Sequence, residues 1–586
     1  MRKLLKYMNG YKKEAFLAPA FKLLEALLEL FVPLVMARII DVGIKNGDVP
    51  YILRMCLLMA GLGLIGLVCS VTAQYFSAKA AVGFTAKLRQ ELFAHIQSLS
   101  FSKMDTIGTS TLITRMTSDM NQVQSGINLF LRLFLRSPFI VFGAMIMAFT
   151  IDAKAALVFV VVIPVLCVIV FGIMLISIPI YKKVQARLDG VVRVTRENLQ
   201  GVRVIRAFCR EKEESRIFEE SNAALVKIQL LSGKISSLLN PMTYVVINAG
   251  LLVLLYVGAG RVDKGILLQG SVVALVNYMS QILTELVKLA NLIITVTKAI
   301  ACGNRIESVF EMESGMEATK EKTAENPDKA WAEDWGNAAV AFENVHFGYE
   351  GAGAEALSGI SFTAGRGETI GIIGGTGSGK TTLVSLIPRF YDVSKCCVKV
   401  DGVDVRDYPM EQLRNKVGIV MQKAVLFAGT IRENLLWGNE NASDEELKEA
   451  IRIAQAQDVV FGAKEGLDAV IEQEGRNFSG GQRQRLSIAR ALARRPEILI
   501  LDDSASALDF ATDARLRQAI AQLPGDMTVF IVSQRTSSIQ HADKILVLED
   551  GEVAGIGTHD ELLNTCEIYR EIYDSQFPKE DGEVQS

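Results

Sequence analysis

The sequence has little excess charge, and its cysteines have no spacing that is typical of a metal site. Its 65 acidic and 62 basic side chains leave a formal net charge of −3. Such a balance gives no reason to expect nucleic acid or another strongly charged partner. The eight cysteines include no CxxC pair, so we expect reduced, mostly structural thiols, those of the adjacent Cys396 and Cys397 included.

Apolar residues, in contrast, are abundant. Of the 586 residues, 50% are hydrophobic while 22% are charged, a mixture that indicates a membrane half joined to a soluble half. In the N-terminal half, apolar stretches recur with lengths near the roughly 20 residues that cross a bilayer. We predict six membrane spans, at 15–38, 54–80, 129–151, 156–180, 242–262 and 267–297.

Lysine and arginine determine the predicted orientation. They are dense at the N-terminus and in the segment 181–240, whereas the short connectors near 41–52, 151–155 and 261–266 hold few. By the positive-inside rule, both termini and both long connectors are cytoplasmic. The N-terminal sequence also lacks a small-residue cleavage site after a short apolar core, which favours a retained cytoplasmic helix over a signal peptide.

The two long connectors contain polar stretches with a helical pattern, FSKMDTIGTSTLITRMTSDM at 101–120 and GVRVIRAFCREKEESRIF at 201–218. Composition alone favours solvated hairpins for both. Charged residues also occur inside the predicted spans, namely Lys22, Glu25, Glu29, Arg132, Arg136, Glu285 and Lys288. Such charges usually mark a water-filled path or a buried pair. Two interpretations remain open: residues that line a cavity, or i,i+3 pairs that only orient helices.

The second half of the chain has a different pattern. Residues 313–337 are charged and non-periodic, as in a linker, and from 338 short strands alternate with helices. We therefore predict a transmembrane domain at 1–312, a linker at 313–337 and an α/β domain at 338–586. The predicted fold class is an α-helical six-span transmembrane domain followed by an α/β P-loop domain.

The sequence GGTGSGKTT fits the phosphate-binding pattern GxxxxGK[ST], between the predicted strand ETIGII and the predicted helix TTLVSLI. Glycines let successive amides turn towards phosphate oxygens. Lys380 is expected to reach the terminal phosphates, and Thr381 to offer its hydroxyl to magnesium. The predicted phosphate-binding residues are Gly374, Gly375, Thr376, Gly377, Ser378, Gly379, Lys380, Thr381 and Thr382.

Two further motifs follow this loop. The apolar stretch ILILDD at 498–503 predicts a buried strand that ends in Asp502, which is expected to hold magnesium directly or through water. The stretch RNFSGGQRQR at 476–485 predicts a turn that opens a basic helix, whose first amides form a second phosphate-binding surface. The two surfaces serve either one nucleotide or two different ones.

These motifs, together with VMQ at 420–422, SALD at 506–509 and VSQR at 532–535, resemble those of an ATP-binding cassette. With six spans in the same chain, the sequence resembles a half-transporter of the ABC exporter type, of multidrug or lipid kind, over nearly its whole length. The two connector stretches resemble the family's coupling helices, which dock on the nucleotide-binding domains. The resemblance thus implies a nucleotide-binding domain at 338–586, with ATP and Mg²⁺ as its ligands.

The resemblance also implies a dimer with two ATP molecules between the chains. Tyr349 would stack on adenine, while Gln422 would contact Mg²⁺ with Thr381 and Asp502. The signature residues would close on the nucleotide held chiefly by the partner: Ser479, Gly480, Gly481 and Gln482. Two smaller departures are Phe478 in place of the family's leucine, and Cys396–Cys397 where family members have a glycine and a small residue.

Two positions depart from the family where the chemistry occurs. The acid after the magnesium-binding aspartate is usually a glutamate that orients and deprotonates the attacking water, and a downstream histidine contacts the γ-phosphate. Here these positions hold Asp503 and Gln534. The shorter carboxylate lies about one C–C bond further back, and a misplacement of ~1 Å costs ~100-fold in rate. Glutamine can hydrogen-bond a phosphate but carries no positive charge.

This pattern resembles the degenerate subunit of heterodimeric ABC exporters. The implied partner is a second half-transporter whose own site is competent and is closed by FSGGQ of this chain. The cargo would be a hydrophobic or amphipathic drug, lipid or peptide, and the location a bacterial inner membrane, in contact with lipid. The alternatives are a homodimer with two slow sites, an importer on the exporter fold, and a regulatory subunit that only senses ATP.

Overall fold

The computed structural model describes residues 3–312, 338–462, 464–523 and 525–577. The predicted linker at 313–337 lies outside the described residues. By its internal contacts the chain divides into two compact units. One consists of Met1–Gln97 and Thr109–Met312, and the other of Ser98–Gly108 and Glu313–Ser586.

The described residues up to 312 are almost entirely helical. A 3-10 helix at Lys3–Tyr11 comes first, and short π-helical segments lie at Ile39–Ile44 and Arg115–Asp119. The α-helices are α1 (Lys12–Arg38), α2 (Val49–Ser98), α3 (Phe101–Ile107), α4 (Thr109–Thr114), α5 (Met120–Leu133), α6 (Arg136–Ile151), α7 (Ala153–Gln200), α8 (Val202–Ala207), α9 (Glu211–Ser237), α10 (Leu239–Asp263) and α11 (Gln269–Phe310).

Five helical segments among the described residues are long and apolar enough to cross a membrane: Val49–Ser98, Thr109–Ile151, Ala153–Gln200, Glu211–Asp263 and Gln269–Phe310. They contain four of the six predicted spans, and a fifth, 267–297, except for its first two residues. The remaining span, 15–38, lies in α1, whose 27 residues carry Lys22, Glu25 and Glu29 in the middle. Because these charges reduce its apolar character, the sixth crossing stays a prediction.

Small residues allow the helices of the first unit to approach closely. Ala144, Ala148, Ala155 and Ala156 are completely buried in the core that α6 and α7 share with α1, α10 and α11. Close contact of this kind replaces the hydrophobic effect as the main cause of helix association in lipid.

The charges in the predicted spans form the i,i+3 pairs that one interpretation expected, and they also form contacts between helices. Lys22 pairs with Glu25, and Lys288 with Glu285, at i,i+3 spacing. Arg136 of α6, however, pairs with Glu29 of α1 at 2.7 Å and with Glu285 of α11 at 2.9 Å. The local pairs are therefore part of a set that also joins three helices.

The second unit contains the strands. They are β1 (Ala338–Phe347), β2 (Leu357–Gly365), β3 (Thr369–Gly374), β4 (Lys395–Val400), β5 (Val403–Asp404), β6 (Val417–Val420), β7 (Gly429–Thr430), β8 (Val470–Ile471), β9 (Ile498–Asp502), β10 (Thr528–Val532), β11 (Lys544–Glu549) and β12 (Glu552–Gly557). Its helices after α3 are α12 (Lys380–Leu386), α13 (Met410–Lys416), α14 (Ile431–Leu436), α15 (Asp444–Ile453), α16 (Gln457–Phe461), α17 (Gly480–Ala493), α18 (Phe510–Ala521), α19 (Thr536–Ile539), α20 (His559–Thr565) and α21 (Glu567–Gln576).

The strand order brings the predicted motifs together. The larger sheet runs β12-β11-β3-β10-β9-β6, and its strands are parallel except for β12. Val532 of β10 lies beside Ile372 of β3 on one side and Asp502 of β9 on the other. Ligands of such sheets bind beyond the carboxyl ends of the strands. The glycine-rich loop, Asp502 and the segment after Val532 therefore meet at one edge.

Candidate functional site

The glycine-rich loop joins the end of β3 at Gly374 to the start of α12 at Lys380. Gly379, just before the helix, has a φ of 92°, which favours glycine. A Cβ atom there would lie 2.7 Å from Leu357 Cδ2 and 2.9 Å from the carbonyl oxygen of Ala356. The strand–loop–helix arrangement predicted for the motif is present, and the turn into the helix requires glycine.

Lys380 is buried and folds back over this loop. Its Nζ donates hydrogen bonds to the carbonyl oxygens of Gly374 at 3.0 Å and Gly375 at 2.6 Å, and to Ser378 Oγ at 3.3 Å. Burial lowers the pKa of Lys380. A bound anion would favour the charged ammonium and give it a stronger acceptor than a neutral carbonyl.

Two neighbouring carboxylates lie at the end of β9. Asp502 is buried and accepts a hydrogen bond from Thr381 Oγ1 at 3.0 Å. Burial raises the pKa of Asp502, so a cation beside it would stabilise the ionised form. Asp503 is half-buried, and its Oδ2 accepts a hydrogen bond from Gln422 Nε2 at 3.3 Å.

Tyr349 and Gln534 lie beside the same loop. Tyr349 is 39% exposed, and its hydroxyl shares a hydrogen bond of 2.9 Å with Thr382 Oγ1 at the start of α12. Gln534 is exposed, and its carbonyl oxygen accepts a hydrogen bond from Gln576 Nε2 at 2.7 Å. The amide end of Gln534 thus remains available at the edge of the site.

These side chains enclose a cavity of about 360 Å³. Eleven of the predicted residues line it: Tyr349, Thr376, Gly377, Gly379, Lys380, Thr381, Thr382, Gln422, Asp502, Asp503 and Gln534. Gly374, Gly375 and Ser378 belong to the loop but not to the lining. The lining also includes Ala356 and Ser533. Ser533 falls within the motif VSQR, whereas no sequence pattern pointed to Ala356.

The signature residues form a separate surface at the start of α17. Ser479 Oγ accepts a hydrogen bond from the Gln482 amide at 3.3 Å, and Gln482 Oε1 accepts one from the Ser479 amide at 2.8 Å. Ser479 and Gly480 are exposed, whereas Gly481 is half-buried against the carbonyl of Ala507. Among the described lining residues of the cavity, none belongs to this signature.

The connector segment Ser98–Gly108 belongs to the second unit, although in sequence it interrupts the first. The ring centroid of Phe101 lies 4.6 Å from that of Phe390. Asp105 Oδ2 accepts a hydrogen bond of 2.8 Å from the Tyr391 hydroxyl. An apolar contact and a charged hydrogen bond therefore hold this segment on the second unit.

The same segment reaches the neighbours of the cavity. Lys103 Nζ lies 2.7 Å from Glu350 Oε1, and Glu350 follows Tyr349 in the chain. The Tyr391 ring meets the Tyr349 ring edge-on, with 5.4 Å between centroids. The segment thus contacts two residues that adjoin Tyr349 without itself lining the cavity. The sequence pattern at 101–120 indicated the position of this segment but not its contacts.

Comparison with known families identifies both halves of the chain. Residues 15–286 match the family described as ABC transporter transmembrane region, and residues 357–506 match the family described as ABC transporter. The first match ends at residue 286 and the second begins at residue 357. The interval between them contains the change from apolar spans to alternating strands and helices.

Full-length relatives and a solved structure agree with these matches. An uncharacterized ABC transporter ATP-binding protein of Bacillus subtilis strain 168 is 36% identical over 583 residues, which is 100% of each chain. An ATP-dependent lipid A-core flippase of Chromobacterium violaceum is 31% identical over 98% of this chain and 97% of its own length. The structure of a bacterial Atm1-family ABC exporter with ATP bound matches with a TM-score of 0.78 and 23% identity, covering 97% of this chain and 99% of that chain.

Proposed function

This chain belongs to the ABC transporter family as a half-transporter of the exporter type, and we propose that it is the degenerate-site subunit of a heterodimer. As an ABC transporter it is an ATP-driven translocase. The observation that carries the proposal is the composition of the 360 Å³ cavity, where Lys380, Thr381 and other residues of the phosphate-binding loop share one lining with Asp502, Asp503 and Gln534.

The side chains of the cavity suit ATP. The amides of the glycine-rich loop and Lys380 would hold the phosphates, as the positive end of the site. Tyr349 would present its ring face to the adenine, which requires its hydroxyl to leave Thr382 or to turn about that contact.

The oxygen atoms around Asp502 suit Mg²⁺. Thr381 offers a hydroxyl, Gln422 an amide oxygen and Asp502 a carboxylate, and these are ligands that a hard cation prefers. The described residues hold no cluster of three or more His, Cys, Asp or Glu side chains that would enclose a metal. Because Mg²⁺ commonly takes one or two carboxylates with waters and substrate phosphates, this donor set is sufficient. The ion would neutralise phosphate charge.

The side chains of Asp503 and Gln534 favour binding of ATP without its hydrolysis. The carboxylate of Asp503 already accepts a hydrogen bond from Gln422, and its short side chain places it further from an attacking water than glutamate would be. Gln534 offers a neutral amide where a charged or protonated donor would better stabilise a developing phosphate charge. We infer that this site binds ATP and hydrolyses it slowly or not at all.

The partner is inferred from surfaces that this chain does not use itself. The signature residues at the start of α17 do not line the cavity, and Ser479 and Gly480 are exposed, so they can close on a nucleotide held by a second chain. In the first unit the connector stretch 201–218 exposes apolar side chains, with Phe208 74% exposed and Val204 60% exposed. Both features suit a second half-transporter.

We propose a hydrophobic or amphipathic cargo, moved by alternating access across a bacterial inner membrane with both termini in the cytoplasm. The similarity to a lipid A-core flippase supports a lipid or lipid-like cargo. Turnover in proteoliposomes that cargo stimulates from the cytoplasmic side alone would establish export, and stimulation from the opposite side would establish import.

The proposal is tested by ATP hydrolysis of the purified chain, alone and together with the half-transporter encoded beside it. We expect negligible turnover alone and robust turnover of the pair, because the competent site needs the partner's Walker motifs and this chain's signature. Strong turnover by the chain alone would contradict the heterodimer and indicate a homodimer in which Asp503 suffices.

A further inference from the structure

A set of ionic contacts in the first unit surrounds a cavity of about 540 Å³. Arg136 donates to Glu29 Oε2 at 2.7 Å and to Glu285 Oε1 at 2.9 Å, and Ser137 Oγ donates to Glu285 Oε2 at 2.8 Å. Lys288 Nζ also lies 2.8 Å from Glu285 Oε1. Both oxygens of Glu285 therefore already accept hydrogen bonds, and its Oε1 accepts from both Arg136 and Lys288.

Glu29 differs from Glu285, since it retains an unused acceptor. Its Oε2 receives Arg136, whereas Oε1 has no hydrogen bond to any described residue, and the side chain is 40% exposed. Gln281 Oε1 is buried and likewise lacks a partner. Both residues line the cavity. A buried acceptor without a partner, such as Gln281 Oε1, is costly. Together with the unused oxygen of the partly exposed Glu29 it marks a place for a hydrogen-bond donor.

Two hydroxyls of α11 add further acceptors to the polar wall. Ser280 and Thr284 line the cavity with Gln281, and their hydroxyls donate to backbone carbonyl oxygens one turn earlier, each at 3.2 Å. Their lone pairs are therefore what remains for a ligand. The lining also contains the donors of Asn277 and Lys288, and Lys288 Nζ is already paired with Glu285.

The lining is also partly apolar. Val32, Pro33 and Met36 of α1, Met59 of α2 and Ile140 of α6 belong to it. Methionine side chains are flexible and polarizable, so they adapt to hydrocarbon of different shapes. The cavity is thus amphipathic, since it combines polar side chains with an adaptable hydrocarbon surface.

We propose that this cavity binds amphipathic molecules with a protonated amine head. The ammonium donates to Glu29 Oε1 and Gln281 Oε1, while the hydrocarbon lies against Met36 and Met59. This inference rests on the proposed transport function and specifies its cargo class. An ammonium is favoured over a carboxylate head because Lys288 and Arg136 are already engaged by Glu285, whereas Glu29 keeps one oxygen free.

The test is equilibrium binding to the full chain in nanodiscs of zwitterionic lipid, without nucleotide. The probes are two fluorophore-tipped dodecyl chains, one with a primary ammonium head and one with a carboxylate head, and empty nanodiscs give the background partitioning. We expect the ammonium probe to bind about tenfold more tightly than the carboxylate probe. Glu29→Gln should reduce ammonium binding about tenfold, as expected for the loss of one charged hydrogen bond.

Two further variants make the result decisive. Glu25→Gln is the matched control, because Glu25 pairs with Lys22 on the same helix at 2.6 Å and is outside the cavity lining, so binding should be unchanged. Gln281→Leu leaves the ionic contacts intact and should also weaken ammonium binding, even if Glu29→Gln fails to fold. Equal binding of both probes, preference for the carboxylate, or no effect of Glu29→Gln and Gln281→Leu would overturn the inference.

ATP turnover and ATP-driven transport by the chain together with its neighbour separate this inference from the proposed function. If the ammonium preference holds while the chain and its neighbour show no ATP-driven transport, the transport proposal fails and the binding site stands. If ATP turnover of the pair is normal while the probes do not discriminate, the cargo inference fails alone.

Discussion

At the scale of the residue, the backbone conformation at position 503 favours aspartate, in addition to the chemical effect of its short side chain. Its φ is 47°, in the left-handed region that aspartate and asparagine tolerate better than other non-glycine residues. Its backbone amide donates to the carbonyl of Val532 at 3.0 Å, which holds this turn against β10. The short side chain therefore suits the turn, and a longer one gains catalytic reach at some cost in backbone strain.

We predict that Asp503→Glu combined with Gln534→His converts this site into a hydrolytic one. In the heterodimer, with the partner's own catalytic acid replaced, turnover should rise about 100-fold, because a glutamate carboxylate reaches the attacking water. The measurement is steady-state ATP hydrolysis of the pair.

Asp503→Asn is the control, since asparagine keeps the preference for this backbone conformation and removes the carboxylate. If aspartate does not act as a base here, Asp503→Asn should leave the low rate unchanged. A fall in that rate would show that Asp503 already performs the chemistry, and no gain in the double variant would contradict the prediction.

A second prediction concerns the adenine. Tyr349→Ala should weaken ATP binding about tenfold or more, because stacking of a base on an aromatic ring contributes about 1–3 kcal/mol by alanine substitution. Tyr349→Phe keeps the ring and loses only the contact with Thr382, so it should bind nearly normally. Titration with a fluorescent ATP analogue distinguishes them, and equal losses in both variants would assign the effect to the hydroxyl.

At the scale of the element, α17 and α15 begin in the same way. Ser479 caps α17 and Ser443 caps α15, each through a capping box with the residue three positions later. Either serine to alanine should cost about 1 kcal/mol of local stability. Only the α17 cap belongs to the signature.

We therefore predict that Ser479→Ala abolishes most turnover of the heterodimer while ATP still binds to this chain's own loop. Ser443→Ala should leave turnover nearly unchanged. For both variants, the rate of ATP hydrolysis by the heterodimer is measured, and a nucleotide titration gives the affinity for ATP. Equal losses of turnover would mean that helix stability, not contact with the partner's nucleotide, explains the effect.

Strand β4 contains the departure noted at Cys396. This residue has a φ of 61°, a left-handed conformation that favours glycine, and the resemblance implies a glycine at this position. We predict that Cys396→Gly raises the unfolding temperature of the second unit by about 1–3 °C, since the left-handed strain exceeds the entropic cost of glycine. Scanning calorimetry of the full chain measures it. Cys397→Gly is the control and should destabilise, because the Cys397 thiol donates to Glu343 at 3.1 Å.

The elements show what the sequence predicts well and what it does not. The phosphate-binding loop, the strand before Asp502 and the helix after Ser479 were predictable, because each is encoded by a short contiguous motif. The presence of Ala356 in the cavity lining was not predictable, since it depends on how two strands pack. Likewise, single charges in the spans were visible, but the joining of Glu29, Arg136 and Glu285 requires the packing of three separate helices.

At the scale of the whole molecule, the connector segment Ser98–Gly108 completes the surface of the second unit. We predict that Tyr391→Phe weakens this docking by about 1 kcal/mol, because a hydrogen bond to the Asp105 carboxylate is lost. Cargo-stimulated turnover should fall while ATP binding is retained. Tyr408→Phe, which removes a hydroxyl contact to the carbonyl of Val400 at 3.0 Å, is the control. Equal effects would indicate general destabilisation.

The same segment has a consequence for biosynthesis. Asp105 and Tyr391 are 286 residues apart in the chain. At translation rates of about 5–20 residues per second, Phe101 and Asp105 leave the ribosome roughly 15–60 s before Phe390 and Tyr391. The segment lacks its docking surface throughout that interval, and it can dock only after the later-synthesised residues around Tyr391 have folded. Assembly of the nucleotide-binding unit is thereby timed to follow synthesis of the membrane helices on both sides of the segment.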